Sequence, residues 1–251
     1  MSLNDGLLNE QRLIDAINDK RYSELNNNLQ HFVNFLFPKI DRQEKFKCFA
    51  AEKYTKPDIC IQHLDKRRYI SVKHGTSTGV HGEKLDNFIE FLRENNFDDY
   101  TIESYLLFHF GDGTTDGTGE RRLDQFHVRA QYDERIRALN EAFNKNKEFV
   151  KKFTDRVMFQ GVSDTAEPAD ILYHGDEDFG CFMSRKQLMR HIDFRRWEYM
   201  TYLVHIGPFS IAPKARYPER EIKNNEFRTT VVVNYPKLLN DIQYIFSRYI
   251  F

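Results

Sequence analysis

The chain has 251 residues, of which 40% are hydrophobic and 14% aromatic, and its formal net charge is −1 at pH 7. This composition predicts a folded α/β protein, and the near-zero charge argues against indiscriminate coating of nucleic acid while leaving a local basic patch open. Because no run approaches the roughly 18 apolar residues of a membrane span and Met1–Gly6 has no signal-peptide pattern, we expect a cytoplasmic protein. Cys48, Cys60 and Cys181 lack the spacing of a zinc site and predict reduced core residues.

Residues 8–37 predict two helices. The second helix carries its apolar residues on one side, at positions 29, 32, 33, 36 and 37, and Pro38 marks its end. Two β-prone runs follow at 56–64 and 68–73, and the polar residues between them predict a hairpin.

The hairpin brings three polar side chains together. If the loop is Asp65-Lys66, then Leu64 pairs with Arg67 and Asp58 pairs with Lys73. Ser71 shares a face with Lys73 because side chains alternate along a strand. We therefore expect Asp58, Ser71 and Lys73 to converge at one end of the hairpin.

The order Pro57-Asp58 followed by Ser71-Val72-Lys73 resembles the PD-(D/E)xK nuclease superfamily, the fold of many restriction endonucleases. In that superfamily the Asp and a middle acid bind Mg²⁺, and the Lys attends the attacking water. The resemblance implies these roles for Asp58 and Lys73. Ser71 stands where the superfamily has its middle acid, and a hydroxyl cannot supply the charge that attracts a hard cation. Some members carry Ser-x-Lys and recruit a carboxylate from the following helix.

Several acids are candidates for the second metal ligand. Apolar residues at 85, 88, 89 and 92 predict a helix, and Glu83 is the first choice because it is expected near the start of that helix. Asp86 and Glu90 come next. Glu52 is a further possible ligand, since superfamily members often use an acid from the preceding helix. The implied cofactor is Mg²⁺, with Mn²⁺ as a substitute, because such an ion polarises a phosphate oxygen and lowers the pKa of bound water.

The run 105–110 predicts a strand buried on both faces, which would complete a strand-strand-helix-strand order. A glycine-rich stretch follows at 111–122. It is interpreted either as a loop that touches DNA or closes over the site, or as a surface turn, and it does not match a phosphate-binding P-loop. Together with 71–75, the segment 108–114 also resembles a group of uncharacterised bacterial restriction-endonuclease-like proteins.

Residues 129–153 predict a long charged helix or helix pair with buried positions at 136, 139, 143 and 149. The segment 167–175 repeats the Pro-Asp pattern without a following lysine. We interpret it as a structural hairpin that leads to Ser184, the N-cap of the next helix.

The C-terminal part predicts nucleic-acid contacts, followed by a strand at 229–235 and a closing helix at 235–251. Arginine and lysine there would neutralise phosphates or read guanine edges, although an exposed loop with ordinary solubilising charge explains the same residues. The basic residues are Lys214, Arg216, Arg220, Lys223 and Arg228.

These observations predict one α/β domain over residues 1–251, with a restriction-endonuclease-like central mixed sheet flanked by helices. Its catalytic core is expected at about 45–110 and its C-terminal elaboration at about 155–251. The predicted function is Mg²⁺-dependent cleavage of double-stranded DNA, of the type II restriction kind, by a homodimer. Two alternatives stay open: a catalytically inactive DNA-binding member, or a protein-interaction subunit of a defence or repair assembly.

Overall fold

The computed structural model describes residues 3–52, 55–119, 123–162, 166–194, 203–214 and 228–249. The chain is of the α/β class and forms two compact units. The first unit comprises Met1–Ser77, Asp155–His191 and Lys237–Phe251, and the second comprises Thr78–Thr154 and Ile192–Pro236. Each unit contains its own sheet. Among the described residues, no helix has both the length and the apolar character needed to cross a membrane.

A five-stranded mixed sheet forms the centre of the first unit, in the order β1-β2-β3-β5-β6. Strands β3 and β5 run parallel, and the other neighbouring pairs run antiparallel. The strands are β1 (Lys47–Ala50), β2 (Ile59–His63), β3 (Lys66–Lys73), β5 (Ile171–Gly175) and β6 (Gly180–Ser184).

Two N-terminal helices, α1 (Leu3–Ile17) and α2 (Asn27–Leu36), cover one face of this sheet. Asn26 caps α2, since its side chain accepts a hydrogen bond from the Leu29 amide. The core between helices and sheet contains Leu13, Ile17, Phe32, Val33, Ile59, Ile61, Ile70 and Tyr173. Both helices were predicted from the sequence, and the apolar side of the second is buried as expected.

The remaining helices of the first unit lie late in the chain. Helix α8 (Arg185–Phe194) starts within the first unit. Helix α9 (Leu238–Tyr249) packs on β6. Ser184 accepts a hydrogen bond from the amide of Gln187 at 3.2 Å, which confirms it as an N-cap. The β5–β6 hairpin confirms the structural interpretation of the second Pro-Asp segment. A short π-helix, Arg156–Gln160, precedes that hairpin, and a 3₁₀ turn at Tyr22–Glu24 lies between α1 and α2.

The second unit has a four-stranded antiparallel sheet in the order β4-β9-β8-β7. Its strands are β4 (Gly79–Lys84), β7 (Val204–Ile206), β8 (Phe209–Pro213) and β9 (Thr230–Asn234). Its helices are α3 (Leu85–Glu94), α4 (Asp99–Phe110), α5 (Gln125–Gln131), α6 (Asp133–Lys145) and α7 (Lys147–Asp155), the last residue of which belongs to the first unit. Buried aromatic rings, among them Phe88, Tyr105 and Phe153, pack against one another in its core.

The prediction of a strand at 105–110 is wrong, because these residues form the second half of α4. Asp98 caps the helix by accepting from the Thr101 amide at 2.9 Å, and Gly111 ends it with a φ of 62°. Much of the helix is buried, including Tyr105, Phe108 and Phe110, so its apolar run lacks the one-sided spacing of a surface helix. The strand-strand-helix-strand order is therefore not formed by this segment, and β5 is the strand that pairs with β3.

The predicted hairpin exists, but its register is shifted. Its turn is Leu64-Asp65 rather than Asp65-Lys66, and Leu64 adopts a left-handed backbone with a φ of 55°. Ile59 pairs with Ile70, which puts Asp58 beside Ser71 and not beside Lys73. A shift of two residues keeps every side chain on its predicted face, so the expected convergence survives.

The predicted boundaries place the catalytic core at about 45–110. Residues 78–110 of that range belong to the second unit, whereas Asp58, Ser71 and Lys73 belong to the first. The single nuclease-like domain and its restriction-endonuclease-like fold stay predictions.

Candidate functional site

Asp58 is fixed at the end of the β2–β3 hairpin by its backbone and by its side chain. Its amide donates to the Ile70 carbonyl at 2.8 Å, and its carbonyl accepts from the Ala51 amide at 3.0 Å. Its carboxylate oxygen Oδ2 accepts from the Val72 amide at 2.6 Å and from the Ser71 hydroxyl at 3.2 Å. The side chain keeps 25% of its surface exposed, so the carboxylate is held in place and still reaches solvent.

Lys73 lies at the C-terminal end of β3 and faces the same carboxylate. Its Nζ is 3.7 Å from Asp58 Oδ2 and donates to the Val72 carbonyl at 3.0 Å. With 22% of the side chain exposed, the ammonium is partly shielded from water. The sequence prediction that Asp58, Ser71 and Lys73 share one end of the hairpin agrees with these contacts.

Glu10 is a candidate residue that the sequence interpretation missed. It lies on α1, is half-buried, and has a pKa raised from 4.5 to about 7. Burial is the main cause, the negative charge of Asp58 adds to it, and the positive charge of Lys73 opposes it. Glu10 therefore lies within electrostatic reach of both charged groups.

A buried hydrogen bond fixes the part of α1 that carries Glu10. Asn9 is 2% exposed, and its side-chain amide donates to the Gly175 carbonyl at the end of β5 at 2.9 Å. Leu13 and Ile17 follow Glu10 by three and seven residues on the core side of the helix. An acid on the buried face of an amphipathic helix was the available sequence signal for this position.

Glu83, the preferred second ligand, occupies a different environment from the one expected. It lies on β4 before α3 begins, it belongs to the second unit, and its side chain is fully buried 3.4 Å from the His81 ring nitrogen. Asp86 and Glu90 are exposed on α3 in the same unit. Glu83 therefore lies near the start of α3, as expected, directly before the N-cap residue Lys84, and its role as a metal ligand stays a prediction.

Glu52 also differs from its expected setting. The segment before it forms β1, and Glu52 follows that strand in an exposed, irregular stretch. The prediction that a helix immediately before the hairpin carries this acid is therefore wrong. In the first unit, the helix that supplies an acid close to Asp58 is α1.

His174 borders Lys73 in the parallel β3–β5 ladder. Burial lowers its pKa, and a hydrogen bond with the Gly75 backbone opposes that shift. The net effect is a pKa below the usual value of 6.5 for a histidine. Its contact with Gly75 supports the turn that follows β3.

The residues predicted to contact nucleic acid differ in their exposure, in their pairing and in whether the structure describes them. Lys214 is exposed at the end of β8, and its backbone amide donates to the Thr230 carbonyl at 2.9 Å. Arg216 and Arg220, with the neighbouring Lys223, lie outside the described residues. Arg228 pairs with the buried carboxylate of Asp112 in the second unit, so its charge is neutralised within the fold. Among the predicted nucleic-acid residues that the structure describes, Lys214 is the exposed one, and DNA contact stays a prediction for it.

The glycine-rich stretch is organised by that ion pair. The Asp112 carboxylate accepts from the Thr114 and Gly119 amides at 2.9 and 3.0 Å, and Arg228 also donates to the Gly119 carbonyl at 3.1 Å. These contacts support the interpretation of 111–119 as a surface turn, because the Asp112 carboxylate forms its hydrogen bonds with the backbone of the same stretch and its ion pair with Arg228.

The donor set of the first unit suits a hard divalent cation. Glu10 and Asp58 offer carboxylate oxygens, which Mg²⁺ and Mn²⁺ prefer. Burial is the main reason that the Glu10 pKa is raised, and a cation would offset the smaller contribution of the Asp58 charge. Within the described ranges, no cluster of three or more His, Cys, Asp or Glu side chains has metal-binding geometry. Two carboxylates are nevertheless sufficient for Mg²⁺, which usually keeps several waters.

Comparison of the chain with protein-family models gives no match, and comparison with curated proteins gives none either.

Proposed function

We propose that this protein is a metal-dependent endonuclease that hydrolyses DNA phosphodiester bonds with the first-unit site. The observation that carries the proposal is the Lys73 ammonium 3.7 Å from the Asp58 carboxylate at the end of β3, with Glu10 within electrostatic reach of both. The mixed sheet, with its parallel β3–β5 pair and its helical cover, supports a restriction-endonuclease-like fold. The sequence resemblance of Pro57-Asp58 and Ser71-Val72-Lys73 points to the same superfamily.

Glu10 and Asp58 are the residues that would hold Mg²⁺ or Mn²⁺. When bound, such an ion supplies polarisation of a phosphate oxygen and a lowered pKa for water. Ser71 and the Val72 amide keep the Asp58 carboxylate in one orientation. Lys73 contributes a fixed positive charge that orients the attacking water and stabilises the charge that develops on the phosphate.

The substrate and assembly follow from the same proposal. Double-stranded DNA is the proposed substrate, and a two-fold homodimer would present one site to each strand of a palindrome. Lys214 is the described residue proposed to contact the DNA backbone, since an exposed lysine can neutralise a phosphate.

The test is cleavage of mixed plasmid and phage DNA in Mg²⁺ or Mn²⁺, followed on gels. Wild type is expected to give discrete metal-dependent fragments, and Asp58→Asn, Glu10→Gln and Lys73→Ala are expected to lose them. Asp65→Asn and Lys66→Ala are matched controls, because they remove the same kinds of charge from exposed positions in and next to the turn of the same hairpin. Both controls are expected to cleave like wild type.

Two results would contradict the endonuclease. If no DNA is cleaved but the protein shifts DNA in gel electrophoresis, the inactive DNA-binding alternative replaces it. If the protein neither cleaves nor binds DNA, the assembly-subunit alternative replaces it.

A further inference from the structure

The turn between β5 and β6 displays an exposed aromatic ring. Phe179 is 83% exposed, more than any other large hydrophobic side chain that the structure describes. Three acids, Asp176, Glu177 and Asp178, precede it in the same turn. One apolar ring beside three carboxylates suits a protein surface that has an apolar pocket with positive charges at its rim.

Hydrogen bonds fix the shape of this turn. Asp176 Oδ1 accepts from the Asp178 and Phe179 amides at 3.0 and 2.8 Å. The side chain of Asn26, the N-cap of α2, donates to the Glu177 carbonyl at 2.9 Å and to the Asp178 carboxylate at 3.2 Å. The backbone that carries the ring is therefore ordered before any partner binds, which lowers the entropic cost of using the ring as an anchor.

A pocket in the second unit has the complementary character. It lies between the loop after α3 and the junction of α6 with α7, and its volume is about 570 Å³. Phe97 and Ala142 contribute apolar surface to its lining, and Lys145 and Lys147 contribute positive charge. Pockets that hold drug-sized ligands have volumes of about 300–1,000 Å³, so this one has room for a phenyl ring.

The two lysines of the pocket are available to a partner. Lys145 and Lys147 are exposed, and neither forms an ion pair with a residue that the structure describes. Glu148 is the acid in the lining, and its carboxylate is 3.3 Å from the Lys151 ammonium. The negative charge of the lining is thus offset locally, and the charges of Lys145 and Lys147 remain to attract carboxylates.

We propose that the β5–β6 turn of one chain inserts Phe179 into this pocket of a second copy, with the acids of the turn facing Lys145 and Lys147. Each copy offers both surfaces, so two reciprocal contacts close a two-fold dimer. The inference rests on the homodimer of the proposed function and not on DNA cleavage, and it adds which surfaces form the interface. Because each turn is small, the dimer is expected to dissociate in the micromolar range.

The experiment is sedimentation equilibrium of the full-length protein without DNA, over about 1–100 μM, where a weak dimer dissociates. Wild type is expected to be mostly dimeric at the upper end. Phe179→Ala is expected to raise the dissociation constant by about 30-fold or more, the loss typical of an interface anchor. Phe126→Ala is the matched control, because Phe126 is 61% exposed on α5, away from the turn and the pocket lining, and it should dimerise like wild type.

Charge exchange tests the pairing of the two surfaces. Asp178 is the exposed acid of the turn, whereas the other two are half-buried. Asp178→Lys and Lys147→Glu are each expected to weaken the dimer by about 10-fold, because each places like charges opposite one another. The chain that carries both changes has opposite charges again and is expected to recover most of the wild-type affinity. Circular dichroism of each variant establishes that it is folded.

The outcomes separate this inference from the nuclease. A wild type that is monomeric throughout the range requires no variant and would overturn the inference, as would a dimer that Phe179→Ala leaves unchanged. A monomeric wild type whose affinity for DNA falls in Phe179→Ala would assign the ring to DNA instead. A combined charge variant weaker than both single variants would also count against the contact. A dimer weakened by Phe179→Ala and by each charge reversal, and recovered in the combined variant, would support it whether or not the protein cleaves DNA.

Discussion

Ser71 donates its hydroxyl hydrogen to the Asp58 carboxylate at 3.2 Å, in the place where the superfamily pattern has a second acid. The neighbouring Val72 amide donates to the same oxygen at 2.6 Å. In the proposed site, neutral donors thereby replace one negative charge, and Glu10 on α1 is proposed as the second carboxylate. The predictions below separate the contributions of these groups.

Lys73→Ala is expected to lower the single-turnover rate of DNA cleavage by about 10²-fold or more, because a positioned charge and a proton-handling group commonly contribute this much. Mn²⁺ affinity should stay near wild type, since an ammonium is not a metal ligand. The rate is measured by quenched-flow on a labelled duplex, with Lys66→Ala as the control. A wild-type rate in Lys73→Ala would exclude the lysine from catalysis.

Glu10→Gln is expected to weaken Mn²⁺ binding by at least about 10-fold, because the amide keeps the shape of the side chain but loses the charge that attracts a cation. Calorimetric titration measures the affinity. Glu44→Gln is the matched control, as Glu44 is exposed in a turn after α2. If both variants bind Mn²⁺ like wild type, Glu10 is not a ligand.

The raised pKa of Glu10 predicts a pH dependence of stability. The folded chain holds this proton more tightly than the unfolded chain, whose carboxyl titrates near 4.5, so the stabilisation is complete below pH 4.5 and is lost as pH rises through about 7. Allowing for solvent screening of a half-buried group, the loss is about 1–2 kcal/mol.

The measurement is the melting temperature of metal-free protein between pH 4.5 and 8.5. Glu10→Gln is expected to lose part of the decline between pH 4.5 and about 7, because it has no proton to release. Saturating Mn²⁺ should reverse the trend in wild type, since metal and proton compete for the same carboxylate. Identical pH profiles for wild type and Glu10→Gln would show that this carboxyl does not titrate in the range.

Asp112→Ala is expected to destabilise the protein by about 3–5 kcal/mol, because it removes the buried carboxylate that pairs with Arg228 and accepts from the Thr114 and Gly119 amides. Urea unfolding measures the change. Asp116→Ala, at an exposed position of the same loop, is the control and should cost less than about 1 kcal/mol. A comparable loss in both variants would mean that loop shape, rather than the ion pair, is responsible.

The local pattern around Asp58 allowed the site to be predicted in part. Alternation along the strands placed Ser71 and Lys73 on one face, and this survived the change of turn because the register moved by an even number of residues. The turn itself was not predictable from composition, since it needs a left-handed Leu64, a conformation unusual for leucine.

Other features depend on contacts between distant parts of the chain. Glu10 precedes Asp58 by 48 positions, and only the packing of α1 on the sheet puts it within electrostatic reach of that carboxylate. The segment 105–110 was predicted as a strand because a helix buried on several sides has the same continuous apolar pattern as a central strand. Its Asp98 cap and terminal Gly111 were the local signals for a helix.

The parallel pairing of β3 with β5 constrains how the chain folds during synthesis. Lys73 and its ladder partner His174 are separated by about a hundred residues, and that interval contains a large part of the second unit. On the ribosome, one edge of β3 stays without its native neighbour until β5 has been translated. Such long-range pairing slows folding and prolongs exposure of an open strand edge. We therefore expect Lys73 to gain its final surroundings late, after the β2–β3 hairpin has formed.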